Sequence, residues 1–450
     1  MTITSGQRAK PEPEGGMAVF TLVWFGQVVS LVGSGLTAFA LGVWVFQTTG
    51  SPTLYSMITV CSRLPGVAVS PIAGALIDRW DRRRVMIFSD IVAGLSILGV
   101  TLLFLVGRMQ IWHIGVALTI NSALSAFQWT AYSAATTMLV GKKHYGRAAG
   151  MVQTGEALGS IASPFIGSAL LLSINLHGIF IVNFATFLFS VLTLLLVRVP
   201  SPARSGVGKS LLREAADGWR YVASRPGLMA LLIFFAVGNF FSGFILVLTT
   251  PMVLAFASAS VLGMALSIGG SGMLVGGLVM SAWGGPRRRI HGVIGFQFLS
   301  GLCFMLAGMR ASAVFITIAA FFFFFSLTFI NGSSQALWQS KIPPDIQGRV
   351  FAVRRMVAWS SVPPAYLMAG PLAEYVFEPL MAAGGPLAET IGWVIGVGPG
   401  RGIGLLFIIM GILTVLIACA GYFYPRLWLL EDETPDAIPD RNLKAAMTAT

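Results

Sequence analysis

Few ionisable side chains lie inside the long apolar stretches of this sequence, and those few are the residues that could carry chemistry. Glu156 lies nine residues after Arg147. Arg63 lies eleven residues before Gly74, and Asp90 is closer to a charged helix end. At a helical rise of 1.5 Å per residue, the depths are about 13, 16 and 9 Å. Charged groups at such depth in an apolar layer are costly and usually functional.

Glu156 has two interpretations. A buried carboxyl whose proton affinity is raised by burial and lowered by a cation can take up and release a proton. Alternatively, it is a structural partner of an arginine, or a hydrogen-bonded carboxyl with no proton cycle. Arg63 is then its counter-charge, a contact for an anion, or a lock on another helix. Arg354 and Arg355 begin little more than a turn into their stretch, and we interpret them as reaching back to headgroups.

The composition requires lipid as the solvent. Hydrophobic residues make up 56% of the 450 residues and mean hydropathy is +0.81, too apolar for a soluble domain of this size. A span needs about 20 apolar residues. Twelve stretches qualify, and we predict helices over 20–46, 52–77, 85–106, 111–139, 148–172, 178–197, 227–256, 259–283, 290–308, 312–339, 350–373 and 402–424. The polar N-terminus lacks the features of a signal peptide.

The basic residues predict the orientation. The even-numbered connections between spans hold 18 Lys and Arg, whereas the odd-numbered ones hold only Arg108, Arg310 and Arg401. Cationic loops stay cytoplasmic, so both termini are predicted to lie on the cytoplasmic side of the plasma (inner) membrane. The net charge of +12 therefore reflects topology, and no nucleic-acid partner is expected.

Several kinds of site are not indicated. Cys61, Cys303 and Cys419 lie on distant spans and form no CxxC pair, which argues against disulfides and thiolate metal sites. The four histidines are not at ligand spacing, so no metal is expected. There is no phosphate-binding loop, nucleophile elbow or zincin helix. We therefore expect neither an enzyme nor a cofactor.

The chain repeats itself at an offset of about 200 residues. "YGRAAG" at 145–150 is similar to "QGRVFA" at 347–352, and "GALIDRWDRRR" at 74–84 has a degraded copy in "GLVMSAWGGPRRR" at 277–289. A duplicated six-span unit explains both. The predicted organisation is an N-terminal tail (1–16), a first half (17–197), a linker with an amphipathic helix (198–226), a second half (227–425) and a polar cytoplasmic tail (426–450).

These features resemble the major facilitator superfamily, particularly the drug:proton antiporter branch with macrolide-efflux proteins and the enterobactin exporter. The motif after span 2 matches the superfamily's G-x-L-x-D-[RK]-x-x-[RK]-[RK] signature through Gly74, Leu76, Asp78, Arg79, Arg82 and Arg83. The closing "GPGRGIGLLFIIMGILT" and the span 1 run are similar to the efflux branch. The resemblance implies an all-α membrane protein with twelve transmembrane helices in two pseudo-symmetric halves. It also implies that the signature turn closes the cytoplasmic side.

A second motif in span 5 is similar to the antiporter motif G-x-x-x-G-P-x-x-G. Gly159, Ser163, Pro164 and Gly167 carry it, with Ser163 in place of the second glycine. Small residues allow close helix approach and proline permits a kink, although ordinary close packing would look the same. The branch often has an Arg in span 4, which this sequence lacks.

By resemblance, spans 1, 4, 7 and 10 line a central cavity. Their neutral polar and aromatic residues are the candidates for substrate contact: Gln27, Ser30, Asn121, Gln128, Trp129, Asn239, Asn331, Gln335 and Trp338. Such a wall suits a large amphipathic molecule better than a sugar or an inorganic ion.

The function implied is secondary active export by alternating access. Its expected partners are a hydrophobic or amphipathic small molecule, protons and the lipid bilayer, and the chain is expected to act as a monomer. Two alternatives stay open: an importer or uniporter on the same fold, and a membrane sensor or scaffold that transports nothing.

Overall fold

The computed structural model describes residues 16–77, 80–140, 144–197, 211–343 and 346–433, and every regular element in them is a helix. The helices of the first half are α1 (Gly16–Thr49), α2 (Pro52–Ile77), α3 (Arg82–Leu105), α4 (Ile111–Leu139) and α5 (Tyr145–Leu196). They are followed by α6 (Leu211–Ala223), α7 (Pro226–Leu254), α8 (Ala259–Trp283), α9 (Arg289–Met309), α10 (Ala313–Lys341), α11 (Gln347–Ser360) and α12 (Val362–Pro371). The short α13 (Glu378–Met381) and α14 (Gly392–Ile395) precede α15 (Arg401–Phe423), α16 (Pro425–Trp428) and α17 (Leu430–Glu433).

The twelve stretches predicted from hydropathy all fall on helices. α2, α4 and α8 have the predicted bounds, and the longest discrepancy at a helix start is four residues, in α1. Nine helices of the described residues are long and apolar enough to cross a membrane by themselves: Gly16–Thr49, Arg82–Leu105, Gly150–Ser173, Asn175–Leu196, Pro226–Leu254, Ala259–Trp283, Arg289–Met309, Ala313–Lys341 and Arg401–Phe423. α2, α4 and the α11–α12 run supply the other three predicted stretches.

One residue divides α5 into two membrane-length parts. Asn175 has φ 57° and ψ −174°, which are non-helical values that few residues other than glycine tolerate. The parts before and after it, Gly150–Ser173 and Asn175–Leu196, correspond to predicted spans 5 and 6. Pro164 stands inside the first part, where the backbone keeps helical dihedrals, so the interruption is at Asn175 and not at the proline.

The segment after α12 differs from a simple span. A π-helical turn, Leu372–Phe377, continues α12 directly into α13. The rest of the connection to α15 carries the short helix α14. Glu378 accepts the backbone N–H groups of Gly400 and Ile403, each at 3.1 Å, and thereby caps the start of α15.

The chain forms two compact units. Unit 1 comprises residues 1–38, 64–163 and 174–206, and unit 2 comprises 39–63, 164–173 and 207–450. Unit 2 therefore contains the second half together with the end of α1, the start of α2 and the middle of α5. Within unit 2, a Cβ on Gly263 of α8 would lie 2.5 Å from the Pro164 carbonyl oxygen, so glycine permits that close approach.

The linker helix α6 is packed against α11. Val222 is fully buried, and a Cβ on Gly218 would lie 2.6 Å from the Arg349 carbonyl oxygen. Arg349 also forms a 3.8 Å salt bridge with Asp217. Trp219 is exposed, as an interfacial anchor requires. The predicted amphipathic helix therefore exists, and its buried side contacts protein.

The start of the C-terminal tail also packs against the helices of unit 2, although the sequence indicates a polar tail from residue 426. Leu427 and Leu430 are buried. The Glu431 carboxylate accepts the Ile290 backbone N–H at 2.7 Å, and its carbonyl accepts from Lys341 Nζ at 2.8 Å. The tail thus fixes the first turn of α9, whose N-cap residue Arg288 makes no side-chain cap of its own.

Candidate functional site

The first cavity lies within unit 1, and we call it the N-terminal cavity. Its volume is about 200 Å³. α1, α4 and α5 line it with Trp24, Gln27, Val28, Ser30, Leu31, Ser34, Ser125, Gln128, Trp129, Tyr132, Val152, Gly155 and Glu156. The α1 and α4 residues recur at helical spacing, so each helix turns one face to the cavity. Four predicted substrate contacts, Gln27, Ser30, Gln128 and Trp129, lie on this wall.

A hydrogen-bonded network lies behind that wall and surrounds Asp90. Asp90 is fully buried. Its Oδ1 accepts from Gln128 Nε2 at 2.6 Å, and its Oδ2 accepts from the Ser190 hydroxyl at 2.8 Å. Gln27 Nε2 donates to Ser190 Oγ at 2.9 Å, and Gln128 Nε2 lies 3.0 Å from Gln27 Oε1. Both glutamines therefore contact the cavity on one side and the Asp90 network on the other.

Glu156 is the acidic residue of the cavity wall. Its neighbours include Tyr132, which lies within electrostatic range of the carboxyl. The Tyr132 hydroxyl is buried and makes no hydrogen bond within the described residues. A buried donor without an acceptor is costly, so this hydroxyl is available to a group that enters the cavity.

The antiporter-like motif contacts α1. Ser163 Oγ donates to the Val32 carbonyl at 3.2 Å, and it leaves no space for a Cβ on Gly35. Gly159 likewise approaches Leu31, where an added Cβ would lie 2.9 Å from a methyl carbon. The small residues therefore allow close packing of α5 on the helix that lines the cavity. Gly167 is buried, and Pro164 belongs to unit 2.

The signature turn is partly described. Asp78 and Arg79 lie outside the described residues, Gly74 is near the end of α2, and Arg82 begins α3. Arg83 donates from Nε and Nη2 to the carbonyls of Leu194 and Leu195, both at 2.7 Å. These are orphan carbonyls at the end of α5, where a cation also interacts favourably with the helix dipole.

The second cavity lies within unit 2, and we call it the C-terminal cavity. Its volume is about 360 Å³. Helices α7, α10, α11 and α12 line it with Phe235, Asn239, Ser242, Leu246, Phe323, Leu327, Asn331, Gln335, Phe351, Arg354, Arg355, Ala358, Trp359, Val362 and Tyr366. Three predicted contacts, Asn239, Asn331 and Gln335, are among them.

Arg354 is held in place by neutral groups. Its two Nη atoms donate to Gln335 Oε1 at 2.8 Å and to Ser334 Oγ at 3.0 Å. The guanidinium also lies 5.5 Å from the Trp338 ring centroid, within the range of a cation–π interaction. Arg355 is exposed in the cavity wall. Both side chains therefore line the cavity, which differs from the headgroup contact inferred from their position in the sequence.

Two predicted substrate contacts lie elsewhere, and Arg63 belongs to a different unit from Glu156. Asn121 Nδ2 donates to Ser96 Oγ at 2.6 Å, which connects α4 to α3. Trp338 is 1% exposed in the core of unit 2. Arg63 lies in unit 2, within electrostatic range of Tyr55 and Tyr366.

Sequence reasoning missed Ser190, Tyr132 and the cavity positions of Arg354 and Arg355. Ser190 is a small polar residue in an apolar span, which ordinary packing would also explain. The spacing of the two arginines along their helix was the signal that could have revealed their cavity positions. Arg354 is four residues before Ala358 and Arg355 is four residues before Trp359, so each pair shares a face of α11.

Comparison with known proteins decides the family. The family model described as Major Facilitator Superfamily matches residues 23–363. The chain belongs to this superfamily. It is therefore a multi-pass membrane protein and a secondary transporter of small molecules, not an enzyme.

The relatives agree with the predicted branch. The chain is 25% identical to macrolide efflux protein A of Streptococcus pyogenes, over 79% of this chain and 90% of that protein. It is 26% identical to the multidrug efflux pump Tap of Mycolicibacterium fortuitum, over 78% and 88%. It is 27% identical to the enterobactin exporter EntS of Shigella boydii, over 47% and 51%. The predicted resemblance is confirmed.

A solved structure supports the same fold. A bacterial homologue of the human lysosomal transporter Spinster, inward-facing and unoccupied, aligns with a TM-score of 0.70 at 14% identity. The alignment covers 93% of this chain and 99% of the other. The prediction of an all-helical membrane protein with the major facilitator fold is confirmed.

Proposed function

We propose that this transporter exports an amphipathic small molecule across the plasma membrane in exchange for protons, and that Asp90 and Glu156 carry the protons. One observation carries the proposal: one carboxyl lines the N-terminal cavity and a second lies directly behind its wall. Glu156 lines the wall, and Asp90 lies one hydrogen bond behind it through Gln128. The names of two relatives, an efflux protein and an efflux pump, favour export.

In this mechanism the protein alternates between conformations that open to opposite sides of the membrane. Glu156 is the more accessible carboxyl, because it is exposed on the cavity wall whereas Asp90 is fully buried. Glu156 therefore exchanges protons with water in the cavity, and Asp90 exchanges them through the glutamine wall. The Tyr132 hydroxyl supplies a donor beside Glu156.

Protonation of Asp90 changes the wall that the substrate meets. In the ionised form, both carboxylate oxygens of Asp90 accept hydrogen bonds: Oδ1 accepts one from Gln128 and Oδ2 accepts one from Ser190. A proton on Oδ2 makes this oxygen the donor to Ser190 Oγ, so the serine hydrogen needs another acceptor. The Gln27 side chain, 2.9 Å from Ser190, meets that need by turning its amide oxygen inward. Because Gln27 lines the cavity, the proton alters the polar groups offered to substrate.

The signature turn completes the cycle by closing the cytoplasmic side while the cavity faces outward. Arg83 connects the start of α3 to the end of α5, so movement of either helix end is transmitted to the other. Asp78 belongs to the same turn, and its replacement by Asn is expected to impair transport while leaving expression intact.

Paired flux measurements on reconstituted protein test the proton carriers. Glu156→Gln and Asp90→Asn each keep the side-chain shape and remove the proton cycle. We expect either variant to lose uphill export driven by a pH gradient and to keep downhill substrate exchange, which needs only the conformational change. Substrates would come from a panel of macrolides, dyes and siderophores. Glu389→Gln, in the exposed connection before α14, is the matched control.

Three outcomes contradict the proposal. Normal uphill export in both carboxyl variants would remove both residues from proton coupling. Parallel loss of uphill flux, exchange and thermal stability would assign them a structural role. Accumulation of substrate on the predicted cytoplasmic side, driven by an inward proton gradient, would make the protein an importer.

A further inference from the structure

We propose that the C-terminal cavity binds the anionic group of an amphipathic substrate, and that Arg354 and Arg355 contact this group. The inference names a substrate class and so rests on the proposed transport function. Binding is measured without transport, however, so the two proposals can fail separately.

The described wall of the cavity has positive charge and no acidic residue. Its lining residues there include both arginines and no Asp or Glu. In the part of the chain that the structure describes, the salt bridges are Arg84–Asp81, Arg288–Asp432, Arg349–Asp217 and Arg426–Glu433, and none involves Arg354 or Arg355. Cations within a membrane are costly unless an anion or strong acceptor accompanies them. A ligand carboxylate, phenolate or sulfonate would supply that anion.

The contacts of Arg354 orient the guanidinium without neutralising it. Gln335 and Ser334 accept two of its N–H groups through neutral oxygens. Rings of Trp338 and Phe235 lie 5.5 and 5.9 Å from it, which also limits its movement. Arg355, the next residue, is exposed on the same wall. A guanidinium that is fixed before binding loses less conformational entropy when it binds an anion.

The wall also changes character along its helices. On α10, Phe323 and Leu327 are followed at four-residue steps by Asn331 and Gln335, so one face changes from apolar to polar over about 18 Å. On α7 the same change runs from Leu246 to Asn239 in the opposite chain direction. The antiparallel helices place an apolar end beside Tyr366 and a polar, cationic end beside Arg354. This arrangement fits a molecule with an apolar body and one anionic end.

The two cavities differ in the sign of their charge. Among the described residues, the wall of the N-terminal cavity contains Glu156 and neither Lys nor Arg. A carboxylate there attracts protons and repels the anionic group of a substrate. The C-terminal cavity, with two arginines, is the site with the charge to hold that substrate. Its volume of about 360 Å³ is within the range of small-molecule sites, roughly 300–1,000 Å³.

A pair of fluorescent probes tests this proposal directly. 8-Anilinonaphthalene-1-sulfonate and N-phenyl-1-naphthylamine share one aromatic skeleton, and only the first has a sulfonate. Binding to the full-length protein in nanodiscs would be measured for each, with empty nanodiscs subtracted. We expect Arg354→Gln and Arg355→Gln to weaken sulfonate binding at least about tenfold, since each removes a charge-assisted contact. Binding of the neutral probe should be unchanged.

Two further variants complete the experiment. Arg349→Gln, on the same helix but bonded to Asp217 outside the cavity, is the matched control and should bind both probes as wild type does. Arg355→Lys retains the charge and should retain most of the sulfonate affinity. If Arg354→Gln does not fold, Arg355→Gln decides the result, because its side chain is exposed.

Several results would overturn the proposal. These are equal affinity of wild type for the two probes, unchanged sulfonate binding in the Arg→Gln variants, or equal loss of both probes. A wild-type protein that binds the sulfonate through these arginines but shows no proton-driven flux would instead overturn the proposed function and leave the anion site established.

Discussion

The carboxylate of Glu374 accepts a hydrogen bond from the Thr53 backbone amide at 3.0 Å. It also accepts the Ser51 hydroxyl hydrogen at 2.5 Å. Thr53 is the second residue of α2, so an acid that follows α12 caps a helix more than 300 residues earlier in the chain. The cap satisfies an orphan amide and places negative charge at the positive end of the helix dipole.

Glu374→Gln should lower the stability of unit 2. A neutral amide keeps the shape but loses the charge, and we expect the free energy of unfolding to fall by about 1 kcal/mol. Thermal unfolding of the purified protein in detergent would measure the change. Glu389→Gln removes an acid from the same connection, where the side chain is exposed, and should leave the melting temperature unchanged. Equal melting of both variants and wild type would show that the cap adds no stability.

The stabilisation by Glu374 should depend on pH. Partial burial alone would raise the pKa of this carboxyl, but the hydrogen bonds from Ser51 and Thr53 outweigh burial and hold the pKa below its usual value of 4.5. A carboxyl with a lowered folded-state pKa stabilises the protein above its unfolded pKa. The stability difference between wild type and Glu374→Gln should therefore be complete above about pH 4.5 and disappear as pH falls through the lowered pKa. A difference that stays constant below pH 4 would contradict this assignment.

The cap on α9 should be supplied by the C-terminal tail. In the first half, Asp81 caps α3 from the adjacent position by accepting the Arg84 backbone amide. The second copy has Arg288 at that position, and Glu431 accepts the Ile290 amide instead. Glu431→Ala should cost about 1 kcal/mol of unfolding free energy, measured by thermal or denaturant unfolding. Glu433→Ala breaks only an exposed ion pair with Arg426 and should cost little. Equal losses would contradict a specific cap.

Arg83 should contribute more to the free energy of unfolding than the neighbouring Arg84. Replacement by Gln removes two charge-assisted bonds to the carbonyls of Leu194 and Leu195, and we expect a loss of about 2 kcal/mol. Arg83→Lys should recover only part of it, because an ammonium lacks the planar fork. Arg84→Gln is the control, since that side chain is 88% exposed. Unfolding in detergent would rank the three variants, and a larger effect at Arg84 would refute the role given to Arg83.

Reporter fusions test the predicted orientation. A reporter at Gly206 or after Thr450 should report a cytoplasmic location, and one inserted between Gly384 and Gly385 should report an external one. The 18-to-3 distribution of basic residues between the connections is the physical reason. External activity at Gly206 would reverse the topology and, with it, the direction assigned to proton flow.

Hydropathy was sufficient to predict the helices because the bilayer sets both their length and their composition. It could not distinguish a cavity wall from a contact between helices, since both tolerate polar side chains. Asn121 and Gln128 are seven residues apart on α4, yet one binds Ser96 on α3 and the other reaches the N-terminal cavity. The Glu374 and Glu431 caps join residues that are 321 and 141 positions apart. Local sequence patterns carry no information about such pairs.

The odd-numbered connections between spans offer few residues to which another protein could bind. Gly50 and Ser51 alone separate α1 from α2, residues 310–312 separate α9 from α10, and Asn175 by itself interrupts α5. Proteases and antibodies need an accessible, locally flexible segment. Among these connections, all within the described residues, the stretch 382–391 is the longest without a helix. A conformation-specific nanobody raised against this face, or an epitope tag inserted in it, would therefore have one practical point of attachment.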